Sequence, residues 1–127
     1  MTTIANIPPV GEPLFYAGTT HEIWAVILES GSPKDISYAS IVWILAASNT
    51  STPLVTKVSS DQTQIAVTDS PADPTSGLFV IFLNPVDTAT LGGQVLYHEA
   101  RAVINATNEV VFAGTFTVTP SDTEGLV

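Results

Sequence analysis

Residues 40–47 read SIVWILAA, and this stretch decides the fold class. It contains no charged side chain, although the chain of 127 residues carries twelve acidic and three basic ones. A membrane-spanning helix needs about 20 apolar residues, and the polar run that begins at Asn49 ends this segment much earlier. The β-branched and aromatic content of the stretch therefore predicts a buried β-strand.

Similar segments alternate with turn signals along the rest of the chain. Strands are predicted over residues 21–28, 39–48, 53–60, 64–69, 78–84, 95–106 and 110–120. A single helical turn is predicted within residues 85–93, and a polar turn at residues 107–109 is predicted to join the last two strands into a hairpin. Such strands, at intervals of about 8 to 12 residues, predict an all-β fold built as an antiparallel β-sandwich.

The two ends of the chain differ from the predicted sandwich. Pro8, Pro9, Gly11 and Pro13 interrupt residues 1–17, which predicts an extended N-terminal arm. The sandwich is assigned to residues 18–120 and a C-terminal tail to residues 121–127. The first residues lack the basic region and the apolar core of a secretory signal, so neither secretion by that route nor a membrane partner is expected.

Charge and composition limit the classes of partner. The formal net charge is −9, and the cations are Lys34, Lys57 and Arg101. Binding to a phosphate backbone requires many cations, so nucleic acid is not an expected partner. There is no cysteine, which excludes disulfides and thiolate chemistry. The length corresponds to one domain with a hydrophobic core of its own.

The predicted strands at residues 39–48 and 78–84 are apolar on both faces. In the first, Ile41 and Trp43 point one way while Val42 and Ile44 point the other. A sandwich that is not covered by another element places polar residues on its outer faces, so the N-terminal arm, a partner protein or both must cover these positions. The candidate interface residues are Ile4, Ile7, Pro8 and Pro9 in the arm, and Val42, Ile44, Phe79 and Ile81 in the strands.

No motif for catalysis or cofactor binding is present in the sequence. The dipeptide His98-Glu99 is not followed by a second histidine at the spacing of a zinc protease. His21 and His98 would be too few ligands for a metal, and Asp61, Asp69 and Asp73 lack the EF-hand pattern of a calcium site. Nucleotide-binding glycine motifs and a serine nucleophile elbow are also missing. The sequence therefore predicts no enzyme activity, no cofactor and no metal.

Three aromatic residues have structural and functional interpretations. Tyr97 opens a strand after a Gly-Gly turn, where sandwiches often place a Tyr whose hydroxyl bonds to the backbone. Trp24 and Trp43 are predicted to be core residues. Two tryptophans on one outer face would instead resemble a sugar-binding surface, so a carbohydrate-binding or adhesion module remains an alternative.

The order of segments resembles that of a known family. A Gly-initiated strand (18–28, GTTHEIWAVIL) precedes a Trp-containing strand, and later come GLFVIFLN (77–84), the turn DTATL (87–91), a Tyr-led strand (95–104) and GTFTVTP (114–120). This order is similar to that of the small immunoglobulin-like virion proteins of tailed bacteriophages, including the amino-terminal domain of baseplate upper proteins. The resemblance covers about residues 18–120 and implies an immunoglobulin-like sandwich with a core Trp and a Gly114-x-Phe116-x-Val118 ending.

The resemblance implies a non-enzymatic structural component of a phage particle, assembled in the host cytoplasm and located in the virion. We expect an assembly or attachment module in the tail, baseplate or fibre-attachment region, with other virion proteins as partners and homo-oligomers in the particle. Decoration of the capsid surface is the competing location. A tail subunit should be covered on several sides, whereas a capsid decoration subunit should use its arm and one edge.

Overall fold

The computed structural model describes residues 15–67 and 77–120, and nearly all of its regular structure is β. The ten strands are β1 (Phe15–Tyr16), β2 (His21–Val26), β3 (Leu28–Glu29), β4 (Ser32–Pro33), β5 (Ser40–Ala46), β6 (Pro53–Val58), β7 (Ile65–Val67), β8 (Leu78–Leu83), β9 (Val95–Ile104) and β10 (Thr107–Thr119). A single helical turn, α1 (Pro85–Thr88), connects β8 to β9. The seven predicted strands and the predicted helical turn are thus confirmed within a few residues at their ends.

The strands form two sheets that share one core. The five-stranded sheet has the order β1-β10-β9-β5-β6, and the three-stranded sheet has the order β2-β8-β7. All pairings within the two sheets are antiparallel except that of β1 with β10. β3 and β4 form a separate short hairpin. Buried side chains from both sheets belong to one hydrophobic cluster, which confirms the predicted all-β, antiparallel sandwich.

Trp43 occupies the centre of this core. Its side chain is fully buried, as are those of its strand neighbours Ile41 and Leu45. The indole packs edge-on against Phe116, with ring centroids 5.9 Å apart. Ile23, Phe79 and Ile81 enter the same cluster from the three-stranded sheet. The alternation predicted for β5 is therefore confirmed, because its odd-numbered residues face the second sheet.

The hairpin of β9 and β10 turns earlier than predicted. Ile104 pairs with Thr107, so the connection consists of Asn105 and Ala106 alone, both with positive φ (52° and 65°). Positive φ at both central residues is the signature of a type I′ turn, whose twist matches that of the flanking strands. The prediction of a turn at residues 107–109 was wrong because those polar residues continue β10.

The end of the predicted N-terminal arm belongs to the sandwich. Phe15 and Tyr16 pair with Val118 and Thr119 of β10, and the Ala17 N–H donates to the Thr119 carbonyl at 2.9 Å. Ala17 is fully buried. The arm boundary predicted at residue 17 therefore lies too far along the chain, because backbone pairing with β10 incorporates these residues into the sheet. The rest of the predicted arm, 1–14, and the predicted tail, 121–127, lie outside the described residues.

Gly77 holds the start of β8 against the β3–β4 hairpin. Its φ is +62°, and a Cβ at this position would lie 2.5 Å from the Ile27 carbonyl oxygen. The Ile27 N–H donates to the Gly77 carbonyl at 2.8 Å, so the two backbones are in direct contact. Only glycine meets both requirements without a backbone shift.

Candidate functional surface

The outer face of the five-stranded sheet is a mixed apolar and charged surface. We define it by ten of the outward-pointing residues of four strands: Val42, Ile44, Thr56, Val58, Tyr97, Glu99, Arg101, Val103, Val110 and Ala113. Val42, Val103 and Val110 are 39%, 41% and 45% exposed. These values are high for large apolar side chains in the middle of a sheet, and such surfaces commonly contact other proteins.

The register places these residues in two neighbouring rows across the sheet. In one row, Val42 lies between Val58 on β6 and Arg101 on β9, and Arg101 pairs in turn with Val110 on β10. In the next row, the corresponding residues are Thr56, Ile44, Glu99 and Ala113. One row thus carries the cation and the other the anion.

Glu99 is the centre of a hydrogen-bonded network of side chains on β9. Its carboxylate accepts from the hydroxyl of Tyr97 and from the guanidinium of Arg101, each two residues away on the same face. These bonds lower the pKa of Glu99, with the Tyr97 hydroxyl as the largest cause. The same bonds raise the pKa of Tyr97 and of Arg101. The predicted bond from Tyr97 to the backbone is therefore wrong, since the hydroxyl finds a carboxylate on its own strand.

The predicted interface residues are divided between the surface and the core. Val42 and Ile44 lie on the outer face of the five-stranded sheet, with Val42 exposed and Ile44 half-buried. Phe79 and Ile81 are fully buried between the two sheets, so they are corrected to core residues that no partner can reach. β8 is apolar on both faces, and alternation alone could not say which face points inward. Ile4, Ile7, Pro8 and Pro9 lie outside the described residues.

The outer face of the three-stranded sheet exposes Trp24. This side chain is 44% exposed, and its indole N–H donates to a carboxylate oxygen of Glu22 at 2.8 Å. Trp24 was predicted to be in the core, and that prediction was wrong. The alternation of residues in β2 could have placed Trp24 correctly, because its neighbours Ile23 and Ala25 are buried and point to the opposite face.

A groove runs between the edge strand β6 and α1. It has a volume of about 450 Å³ and is lined by Leu54, Val55, Thr56, Val86, Asp87, Thr90 and Leu91. The two most exposed apolar groups in it are Leu54 (53%) and Val86 (81%). An ion pair between the Lys57 ammonium and the Asp87 carboxylate, at 2.8 Å, fastens α1 to β6. Both side chains are largely buried, which makes this pair part of the structure.

A smaller cleft of about 170 Å³ surrounds Tyr38 at one end of the sandwich. Tyr38 is 82% exposed, and the cleft is also lined by Glu29, Asp35 and Asn105 and by Lys34, which forms an ion pair with Glu29. This group combines an aromatic ring with acid and amide side chains. The sequence did not reveal it, because Asn105 comes from the β9–β10 turn, far from Tyr38 along the chain.

His98 is a core residue with a defined hydrogen bond. Its Nδ1 atom accepts from the indole N–H of Trp43 at 3.2 Å, and its ring contacts those of Phe112 and Phe116. Burial lowers the pKa of His98 to about 4, which keeps the imidazole neutral near pH 7. His21 lies on β2 in the other sheet, so the two histidines are not neighbours across strands.

The residues that the structure describes do not form a metal-binding site. Within 15–67 and 77–120, no group of three or more His, Asp or Glu side chains is placed to hold a metal ion. Asp61 accepts from the backbone N–H of Thr63 at 2.9 Å and from its hydroxyl at 2.6 Å, and these bonds lower the pKa of Asp61. Asp69 and Asp73 lie outside the described residues. No helix in the described part of the chain is long and apolar enough to span a membrane.

No protein-family model matches the chain, and no curated protein matches it at a significant level of similarity.

Proposed function

We propose that this chain is a non-enzymatic structural module of a bacteriophage particle, located in the tail, baseplate or fibre-attachment region. The observation that carries the proposal is the distribution of exposed large apolar side chains. Val42, Val103 and Val110 lie on one outer face, Trp24 lies on the other, and Leu54 lines the groove at the β6 edge. A subunit that is covered on several sides needs such a distribution.

The strand order supports the immunoglobulin-like part of the proposal. In an immunoglobulin variable domain, one sheet contains strands G, F, C and C′, and the other contains B, E and D. β10, β9, β5 and β6 follow the first order, while β2, β8 and β7 follow the second. This architecture is shared by many attachment domains and is compatible with several functions, so it supports the fold more than the function.

The titratable side chains support a structural role over a catalytic one. His98 is enclosed by aromatic rings, and Lys57 is paired with Asp87. Lys34 pairs with Glu29 at 3.3 Å, and Arg101 pairs with Glu99. All three cations of the chain are thus engaged in ion pairs with its own carboxylates. The partners of such a module are other virion proteins and further copies of itself.

Immunogold electron microscopy of purified particles, with an antibody against this chain, tests the proposal. We expect label at the tail end or baseplate. Label spread over the head would replace the tail location with capsid decoration. Particles without label, from lysates in which the chain is present, would contradict a structural role in the virion.

A carbohydrate-binding module is a second candidate, and the Tyr38 cleft favours it. Sugars stack their apolar face on exposed aromatic rings, and their hydroxyls bond to the acid and amide groups of such a cleft. This function predicts that the isolated chain binds a glycan on an array and that Tyr38→Ala abolishes the signal. The Trp24→Ala variant is the control, because Trp24 is an exposed aromatic residue outside the cleft.

A further inference from the structure

The outer face of the five-stranded sheet is electrically neutral, in contrast to the chain as a whole. Among its described residues, the charged ones are Glu99 and Arg101, and their charges cancel. The chain carries a net charge of −9, so most contacts between two copies would bring like charges together. Repulsion of that kind costs free energy wherever charges become desolvated. The neutral face avoids this cost.

The two rows of this face complement each other. Glu99 and Arg101 are two residues apart on one strand, or about 7 Å. Consider a second copy related by a twofold axis that lies across the strands at the level of Ala100. The axis exchanges the two rows, so that Arg101 of each copy faces Glu99 of the other. Such a contact is isologous, because each residue pair occurs twice.

The same twofold axis also places apolar side chains of the two copies opposite each other. Val42 lies beside Arg101 and Ile44 lies beside Glu99 in the register of β5 with β9. Exchange of the rows therefore brings Val42 of one copy over Ile44 of the other, so an apolar side chain meets an apolar side chain. On β6, Val58 comes over Thr56 by the same operation. Two sheets packed face to face in this way lie about 10 Å apart.

The size of the face indicates a weak contact. Four strands at about 4.8 Å spacing, with about seven residues per strand at about 3.4 Å each, give a flat area of roughly 450 Å² per copy. The pair would therefore bury on the order of 900 Å², at the low end of specific interfaces. A contact of this size is weak in solution and becomes effective when many copies are held together.

We propose that two copies of this chain associate through the outer faces of their five-stranded sheets, with Arg101 of each copy paired to Glu99 of the other. The inference rests on the proposed function, since it assigns a surface and a partner to the assembly role. It requires the Arg101 guanidinium to bond both its own Glu99 and that of the second copy. Arginine can do so, because it has five N–H donors.

Sedimentation analysis of the full chain at increasing concentration, up to about 1 mM, tests the pairing. We expect a reversible dimer for the wild type and monomers for Arg101→Glu and for Glu99→Arg. An equimolar mixture of the two variants should form a heterodimer, because a face with two anions then meets a face with two cations. Glu22→Arg is the matched control for Glu99→Arg. It changes the net charge by the same amount but lies at an exposed position of β2 in the other sheet, so it should dimerise like the wild type.

Three results would overturn the inference: a monomeric wild type at the highest concentration, a mixture that stays monomeric, or equal loss of dimer in Glu22→Arg and Glu99→Arg. Val42→Lys provides a second disruption of the face if either charge variant fails to fold. Immunogold labelling separates this inference from the proposed function. Labelled particles together with a monomeric chain would refute the pairing alone, whereas a dimer together with unlabelled particles would refute the role in the virion alone.

Discussion

The inner and outer faces of the five-stranded sheet are built from the same strands but serve different purposes. On β5, Trp43 is fully buried against the second sheet, while its neighbour Val42 is 39% exposed. The inner face has a neutral hydrogen bond between Trp43 and His98, and at its β6 edge Lys57 forms a largely buried ion pair with Asp87. The outer face carries the ion pair of Glu99 with Arg101, in which the Arg101 side chain is 56% exposed. Apolar content alone therefore does not identify the core face, because both faces of β5 are apolar; the packing of the second sheet against one of them does.

Truncation of two neighbouring residues on opposite faces should change the free energy of unfolding by very different amounts, with the greatest loss for the core residue. Trp43→Ala should lower the free energy of unfolding by about 3 to 5 kcal/mol, because it removes a fully buried ring and leaves a cavity. Val42→Ala should lower it by less than about 1 kcal/mol. Urea denaturation of the two variants measures both values. Similar losses would contradict the assignment of the two faces, and Trp43→Phe serves as the milder core variant if the alanine variant does not fold.

Removal of a cation should have unequal effects at two ion pairs. Lys57→Met should destabilise the fold by about 3 kcal/mol, because it leaves the largely buried carboxylate of Asp87 without its partner. Arg101→Met should cost less than about 1 kcal/mol, because the Arg101 side chain is 56% exposed and the Glu99 carboxylate, although only 16% exposed, keeps the bond from the Tyr97 hydroxyl. Thermal unfolding at low protein concentration compares the two variants. A greater loss in Arg101→Met would show that the outer ion pair stabilises the monomer itself.

Lowering the pH should reduce the stability of the fold through His98 before the carboxylates become protonated. The pKa of His98 is about 4 in the folded protein and about 6.5 when unfolded. As the pH falls below 6.5, the unfolded state therefore binds a proton that the folded state does not, and stability decreases until the pH reaches the folded pKa. From these two values, we expect a loss of about 2 kcal/mol between pH 7.5 and pH 5. Chemical denaturation at a series of pH values measures it.

Two variants identify the source of the acid effect. His98→Gln retains an acceptor for the Trp43 N–H but does not titrate, so it should remove most of the loss. Burial also lowers the pKa of His21, and His21→Gln should remove the remainder. The lowered pKa values of Glu99 and Asp61 stabilise the fold at higher pH, and that contribution is lost only below the usual pKa range of carboxyl groups. An unchanged acid response in His98→Gln would be inconsistent with the buried, neutral imidazole.

The smallest effect is expected at a site that belongs to neither face. Ala106 has a φ of 65° in the β9–β10 turn, a conformation that glycine adopts more readily. Ala106→Gly should raise the free energy of unfolding by about 0.5 to 1 kcal/mol, because Asn-Gly is the preferred pair for this turn. Thermal unfolding measures the gain, and the dimer constant should stay unchanged. A decrease in stability would indicate a different turn geometry.

Predictions from the sequence succeeded where local patterns were clear. The alternation and β-branched content of β5 correctly placed Trp43 inside and Val42 outside. Predictions failed where two solutions were locally equivalent. β8 is apolar on both faces, so Phe79 and Ile81 were assigned to the wrong face, and Trp24 was placed inside although its alternate neighbours are the buried residues. The Tyr38 cleft was missed because it depends on contacts between distant segments.

Sequence patterns were enough to establish the fold class, the number and approximate position of the main strands, and the excess of negative charge. These properties depend on side-chain periodicity, turn residues and composition, which are local or additive. The three-dimensional structure was needed to show which apolar faces meet, that His98 accepts a bond from Trp43, and that Glu99 and Arg101 form a neutral surface beside exposed valines. Those features depend on strand pairing between distant segments, and the register of that pairing is set by the packing of the whole core.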